Sequence, residues 1–183
     1  MRKLILLLLL LAVPLFGATH RVSMLGFQLV PNDDEVYFES YDVTATNDVW
    51  DALVLIFEDG STRTGVAGIF TVPQNYVDTA NLVIVWSSTA TSGDVEWDLD
   101  YRAVGGNDTE SLDQSGTQEA VNTNDTAPSA TNERMEITIA LTDGNLAAGD
   151  VVLFELFRDK TDAGDTMAAD AYVIEVYFEY NDA

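Results

Sequence analysis

Between Asp94 and Ala103 the chain alternates without a fault. Val95, Trp97, Leu99, Tyr101 and Ala103 are apolar, while Asp94, Glu96, Asp98, Asp100 and Arg102 are charged. A strict period of two is a β-strand with one dry face and one wet face, because successive side chains leave a strand on opposite sides. A strand of this kind belongs to an antiparallel sheet that packs on one side only. Its wet face is almost wholly acidic and is expected to lie in solvent.

The rest of the chain repeats the pattern. Apolar or alternating runs occur at Arg21–Val30, Val36–Tyr41, Asp51–Phe57, Gly65–Val72, Leu82–Trp86, Met135–Leu141, Val151–Phe157 and Tyr172–Tyr180. Turn signals separate them: Asn32-Asp33-Asp34 after Pro31, Glu58-Asp59-Gly60-Ser61, Pro73, and Asp143-Gly144-Asn145. In the last strand Tyr172, Ile174, Val176, Phe178 and Tyr180 are expected to face inward, with Glu175 and Glu179 outward. Residues 105–132 form a long polar segment in which Gln118–Val121 is the one candidate strand. Apolar residues nowhere recur at helical spacing over a useful length. About nine or ten short strands at turn-marked spacing predict an all-β, antiparallel sandwich.

Charge narrows the partners. With 31 acidic residues against 8 basic ones and a net charge of −23, the surface repels nucleic-acid phosphates and anionic membranes. The chain has no cysteine, which removes thiolate nucleophiles and cysteine-based metal sites. Residues 1–18 read as a secretory signal peptide: Arg2 and Lys3, then the apolar run Leu4–Phe16, then Gly17-Ala18. A single domain over 19–183, exported to the extracellular space, the cell surface or a virion, is the expectation. His20 is the sole histidine and lies beside the expected cut, so a Ser-His-Asp triad or a histidine zinc site is excluded.

Few residues suggest a site. Asp159, Asp162, Asp165 and Asp170 crowd the connection before the last strand. Such a group offers oxygen ligands to calcium, or else serves as turn chemistry with each carboxylate bonding its own backbone. Glu96 and Asp98 lie on one strand face about 7 Å apart by strand geometry, a spacing formally open to glycoside hydrolysis and equally that of a solvated acidic face. Trp50, at a strand start beside Asn47 and Asp48, is the candidate for stacking on a glycan, since Trp86 and Trp97 fall on core faces. Asn107 and Asn124 each begin a glycosylation sequon.

Ser92-Gly93-Asp94-Val95-Glu96-Trp97 and Asp162-Ala163-Gly164-Asp165-Thr166, with VPQNY and the strand ending in Trp86, resemble a jelly-roll β-sandwich type that recurs in bacteriophage and phage-like environmental sequences. The resemblance covers Val49 to Tyr180. It implies a jelly-roll fold, a virion component or surface appendage, homo-oligomers (trimers above all) and no enzymatic activity. The resulting expectation is a non-enzymatic structural or adhesive subunit whose loops meet other structural proteins or host glycans. The alternative is a secreted carbohydrate-binding module.

Overall fold

The computed structural model describes residues 17–24, 30–31, 36–42, 51–105, 111–113 and 116–182. The expected leader up to Phe16, Trp50 and the sequon at Asn107 lie outside the described residues. The strands are β1 (Thr19–Ser23), β2 (Val30–Pro31), β3 (Val36–Asp42), β4 (Asp51–Phe57), β5 (Arg63–Thr71), β6 (Asp78–Ser87), β7 (Asp94–Val104), β8 (Glu119–Thr126), β9 (Met135–Ala140), β10 (Val151–Asp159) and β11 (Ala171–Asn181). One turn of 3-10 helix, Asp143–Asn145, joins β9 to β10.

Two antiparallel sheets result. The first has the order β3-β4-β11-β6-β9. β4 pairs with the start of β11, and β1 takes the same edge further along, from Thr19 opposite Asn181 to Ser23 opposite Tyr177. The second sheet has the order β2-β5-β10-β7-β8. From β4 onward the chain changes sheet at every connection except β7–β8, which is the jelly-roll manner of closing a sandwich.

The core lies where the inner faces meet. Trp97 is fully buried and sets its ring edge-on to Phe57, with centroids 5.3 Å apart, and to Trp86 at 6.1 Å. All five residues assigned to the dry face of β7 are buried. At the opposite end Phe70, Phe154, Phe178, Tyr76 and Tyr180 pack together.

Two strands depart from their sequence reading. In β11 the register shifts between Val173 and Glu175, a β-bulge that reverses the phase of the alternation. Ala171 and Val173 therefore enter the core in front of the bulge, whereas Tyr172 and Ile174, expected inside, stay outside it. The polar segment holds a full strand, β8, eight residues long. Its Asn- and Asp-rich sequence has little strand preference of its own. It forms because β7 offers it an unbroken ladder from Asp94 opposite Thr126 to Tyr101 opposite Glu119.

Candidate functional site

The outer face of the second sheet can be read row by row across its strands. Ile69, Leu153 and Arg102 form one row; Ala67, Glu155, Asp100 and Ala120 the next; Gly65, Phe157, Asp98 and Asn122 the third. Beyond them stand Arg63 opposite Asp159, and Glu96 opposite Asn124. Phe157 lies across Gly65, where a Cβ would come within 2.4 Å of the ring, so only glycine fits. The guanidinium of Arg63 lies over that ring, 3.6 Å from its centroid. Arg63 then reaches β7, donating from Nε to Asp98 at 2.8 Å and from Nη2 to Asp100 at 3.2 Å.

The expected wet face is not wet throughout. β10 leaves β7 after Arg158 opposite Trp97, and the chain just beyond β10 takes over that edge. The amides of Thr166 and Met167 both donate to the carbonyl of Asp94 at 2.8 Å, and the amide of Glu96 donates to Asp165 at 3.3 Å. Gly93, at φ +90°, allows this approach, since a Cβ there would meet the Thr166 carbonyl at 2.7 Å. Glu96 is thereby sealed: it is 7% exposed and accepts a hydrogen bond from Asn124 Nδ2, which also donates to Gly164 O. Burial raises the Glu96 carboxyl above the ordinary range, against the lowering effect of the Asn124 bond. Burial raises Asp98 too, with Arg63 opposing it. A carboxylate covered in this way cannot flank a sugar bond, so Glu96 and Asp98 are not a hydrolytic pair. The same contacts occupy the Asn124 amide that its sequon would present.

Past Arg63 the face opens into a cleft of about 400 Å³. Ala67 of β5, Leu153 and Glu155 of β10, and Asp100 and Arg102 of β7 make its floor, and Leu112, Gly116 and Thr117 make its wall. The wall is tied down by Arg102 Nε, which donates to Gly116 O at 2.9 Å, and by Gln118, which accepts from the Ala103 amide at 2.9 Å. Among the described residues the Glu155 side chain makes no hydrogen bond or ion pair, and the Arg102 side chain bonds through Nε only. Tyr101 and Phe154 contribute backbone only, because their rings are buried in the core.

The four aspartates of the β10–β11 connection are engaged within the fold. Asp159 accepts from the amide and hydroxyl of Thr161, and Asp162 from the Gly164 amide. Asp170 accepts from the Asp59 amide, and Asp165 is bound by Arg158 and Lys160. Among the described residues no three acidic or histidine side chains converge in a way that could hold a metal. The cleft residues are ones that sequence reading passed over. Glu155 had a signal, since it is the one charge in the apolar run Val151–Phe157 and a charge without a partner in such a run faces outward.

No family model and no curated protein sequence matches the chain. Among solved structures it is similar to an exo-β-agarase at 10% identity and a TM-score of 0.51, over 90% of this chain and 25% of that one. It is similar to a family 35 carbohydrate-binding module from Clostridium thermocellum at 11% identity and a TM-score of 0.49, over 87% and 97% of the two chains. It is also similar to an arabinose-bound α-L-arabinofuranosidase at 11% identity and a TM-score of 0.48, over 86% of this chain and 24% of that one. The chain thus spans about a quarter of the length of each of the two enzymes. The virion role suggested by the phage-type motifs is not carried by any of these structures. At such identities the likeness is one of fold, an antiparallel jelly-roll β-sandwich.

Proposed function

We propose that this protein is an exported, non-catalytic β-sandwich that binds a glycan chain in the cleft on the outer face of its second sheet. The observation that carries the reading is the cleft floor. An unpaired carboxylate and the free end of a guanidinium stand beside aliphatic surface in an open hollow of about 400 Å³, within the usual size range of ligand sites. The same fold occurs within an exo-β-agarase. Glu155 and Asp100 are direct cross-strand neighbours. They approach a ligand from one side, whereas a glycosidase places its two carboxyl groups on either side of the scissile bond. Removal of residues 1–18 would leave β1 whole, because that strand begins at Thr19.

Affinity electrophoresis in gels cast with neutral and charged polysaccharides, together with a reducing-sugar assay, tests the reading. Retardation by at least one polysaccharide with no sugar released is the expected result. Absence of retardation on all of them, with a stable trimer by light scattering, would replace it by the assembly-subunit role.

A further inference from the structure

We infer that the cleft selects an uncharged sugar and reads neighbouring hydroxyls through Glu155 and Arg102, without ring stacking; this rests on the glycan-binding reading above. Glu155 stands directly opposite Asp100, an arrangement of like charges that works against the sheet. Arg63 compensates Asp100 at 3.2 Å, but nothing among the described residues compensates Glu155. A carboxylate only accepts hydrogen bonds and a guanidinium only donates them. Glu155 is exposed and meets water, so a ligand that takes the place of that water must donate to Glu155 and accept from the Arg102 Nη atoms.

Charge excludes the simple partners. A metal cation drawn to Glu155 and Asp100 meets Arg102 on the diagonal, about 7–8 Å away along the sheet, and among the described residues no third acidic side chain converges there to hold it. An anion suited to Arg102 meets Glu155, Asp100 and a molecule of net charge −23. Sugar hydroxyls satisfy both, because each can donate and accept. The apolar contact comes from Leu153 and from Leu112, which is 56% exposed. Phe157, the aromatic ring of this face among the described residues, is covered by Arg63. Uronic acids and sulfated sugars are disfavoured on the same grounds.

Isothermal titration of the full protein with neutral tetrasaccharides of xylose, galactose and arabinose, and with tetragalacturonate and a sulfated galactan tetrasaccharide, decides the matter. The expected result is that at least one neutral tetrasaccharide binds and neither anionic one does. Glu155→Gln, an exposed substitution that keeps shape and removes charge, should weaken binding about tenfold while Tm stays level or rises slightly, because the repulsion from Asp100 is relieved. Anionic sugars binding as tightly as neutral ones, or Glu155→Gln binding like the unmodified protein, overturns the inference while the glycan reading stands. Binding to none of the five removes both.

Discussion

Arg158 and Asp165 form a bidentate pair sealed from solvent, Nε to Oδ2 at 2.9 Å and Nη2 to Oδ1 at 3.1 Å. The guanidinium also donates to the carbonyls of Met167 and Ala169 at 2.8 Å. Lys160 Nζ joins from the other side, 3.0 Å from Asp165 and 2.7 Å from Asp59. Two cations thus stand where a calcium ion would need to approach Asp165, and their charge is matched by two carboxylates. Burial pushes the Asp165 carboxyl up, but the bonds from Arg158 and Lys160 outweigh that and hold it below the usual range. Asp165→Asn leaves buried Arg158 with only Asp59, at 3.6 Å, as a counter-ion and should cost about 3 kcal/mol, read from urea melts. Millimolar calcium should leave the Tm of the unmodified protein unchanged, and a rise on adding calcium would restore the Asp159–Asp170 connection as a metal site.

The two buried indoles separate packing from hydrogen bonding. Trp97→Ala should cost ~3–5 kcal/mol, since the ring is fully buried between Phe57 and Trp86. Trp86 Nε1 donates to Asp125 at 2.8 Å, while Trp97 Nε1 is buried with no partner among the described residues. Trp86→Phe should therefore cost about 1 kcal/mol more than Trp97→Phe, because it strips a carboxylate of its donor. Equal losses in parallel denaturant titrations would show that the Asp125 bond adds nothing net.

Stability should peak in mild acid. Burial raises Glu96, Asp98 and Asp125 above their ordinary values, against opposing bonds from Asn124, Arg63 and Trp86. Folding favours their protonated forms, so their contribution is complete below the unfolded values of about 4 and is lost as pH rises through the folded ones. Asp165 and Glu136 run the other way, as do Glu119, Glu133, Asp143, Asp159 and Asp182, each held below its ordinary value by hydrogen bonds. Bonds from Arg21 and Arg134 pull Glu136 down to about 2, so its contribution is present above the unfolded value and is lost as pH falls through the folded one. Tm measured at constant ionic strength should rise from neutral pH to a maximum between about pH 4 and 5, then fall. A flat profile from pH 7 to the maximum would mean that the outer face of β7 is more hydrated than described.

Arg63 is the cation that holds the acidic rows of the second sheet together. Its removal uncovers Phe157 and leaves Asp98 and Asp100 without compensation. Arg63→Ala should lower stability by about 1 kcal/mol. The deficit should shrink as sodium chloride rises, because screening relieves the carboxylate repulsion. A deficit independent of salt would assign the loss to packing on Phe157 alone.

The strands and most of their inner faces were legible in the sequence. Val95 to Ala103 on β7 alternate with charged residues, and alternation is a local property that burial on one face imposes on the chain itself; Val151–Phe157 on β10 is apolar on both faces except at Glu155, and its sequence marked a strand without marking its inner face. What the tertiary structure decided is how distant segments share an edge or a face. The bulge at Val173–Glu175 reverses the phase of β11 because β6 fixes the register on both sides of it. β8 exists because β7 has an edge to pair, whatever its own weak propensity. Glu96 lost its solvent and Asp165 gained Arg158 when the β10–β11 connection folded onto β7, its hydrogen bonds to Asp94 and Glu96 joining residues 69 or more positions apart. The cleft is what remains of the acidic face once that connection and Arg63 have covered the rest, and no local period records which part of a face another segment will cover.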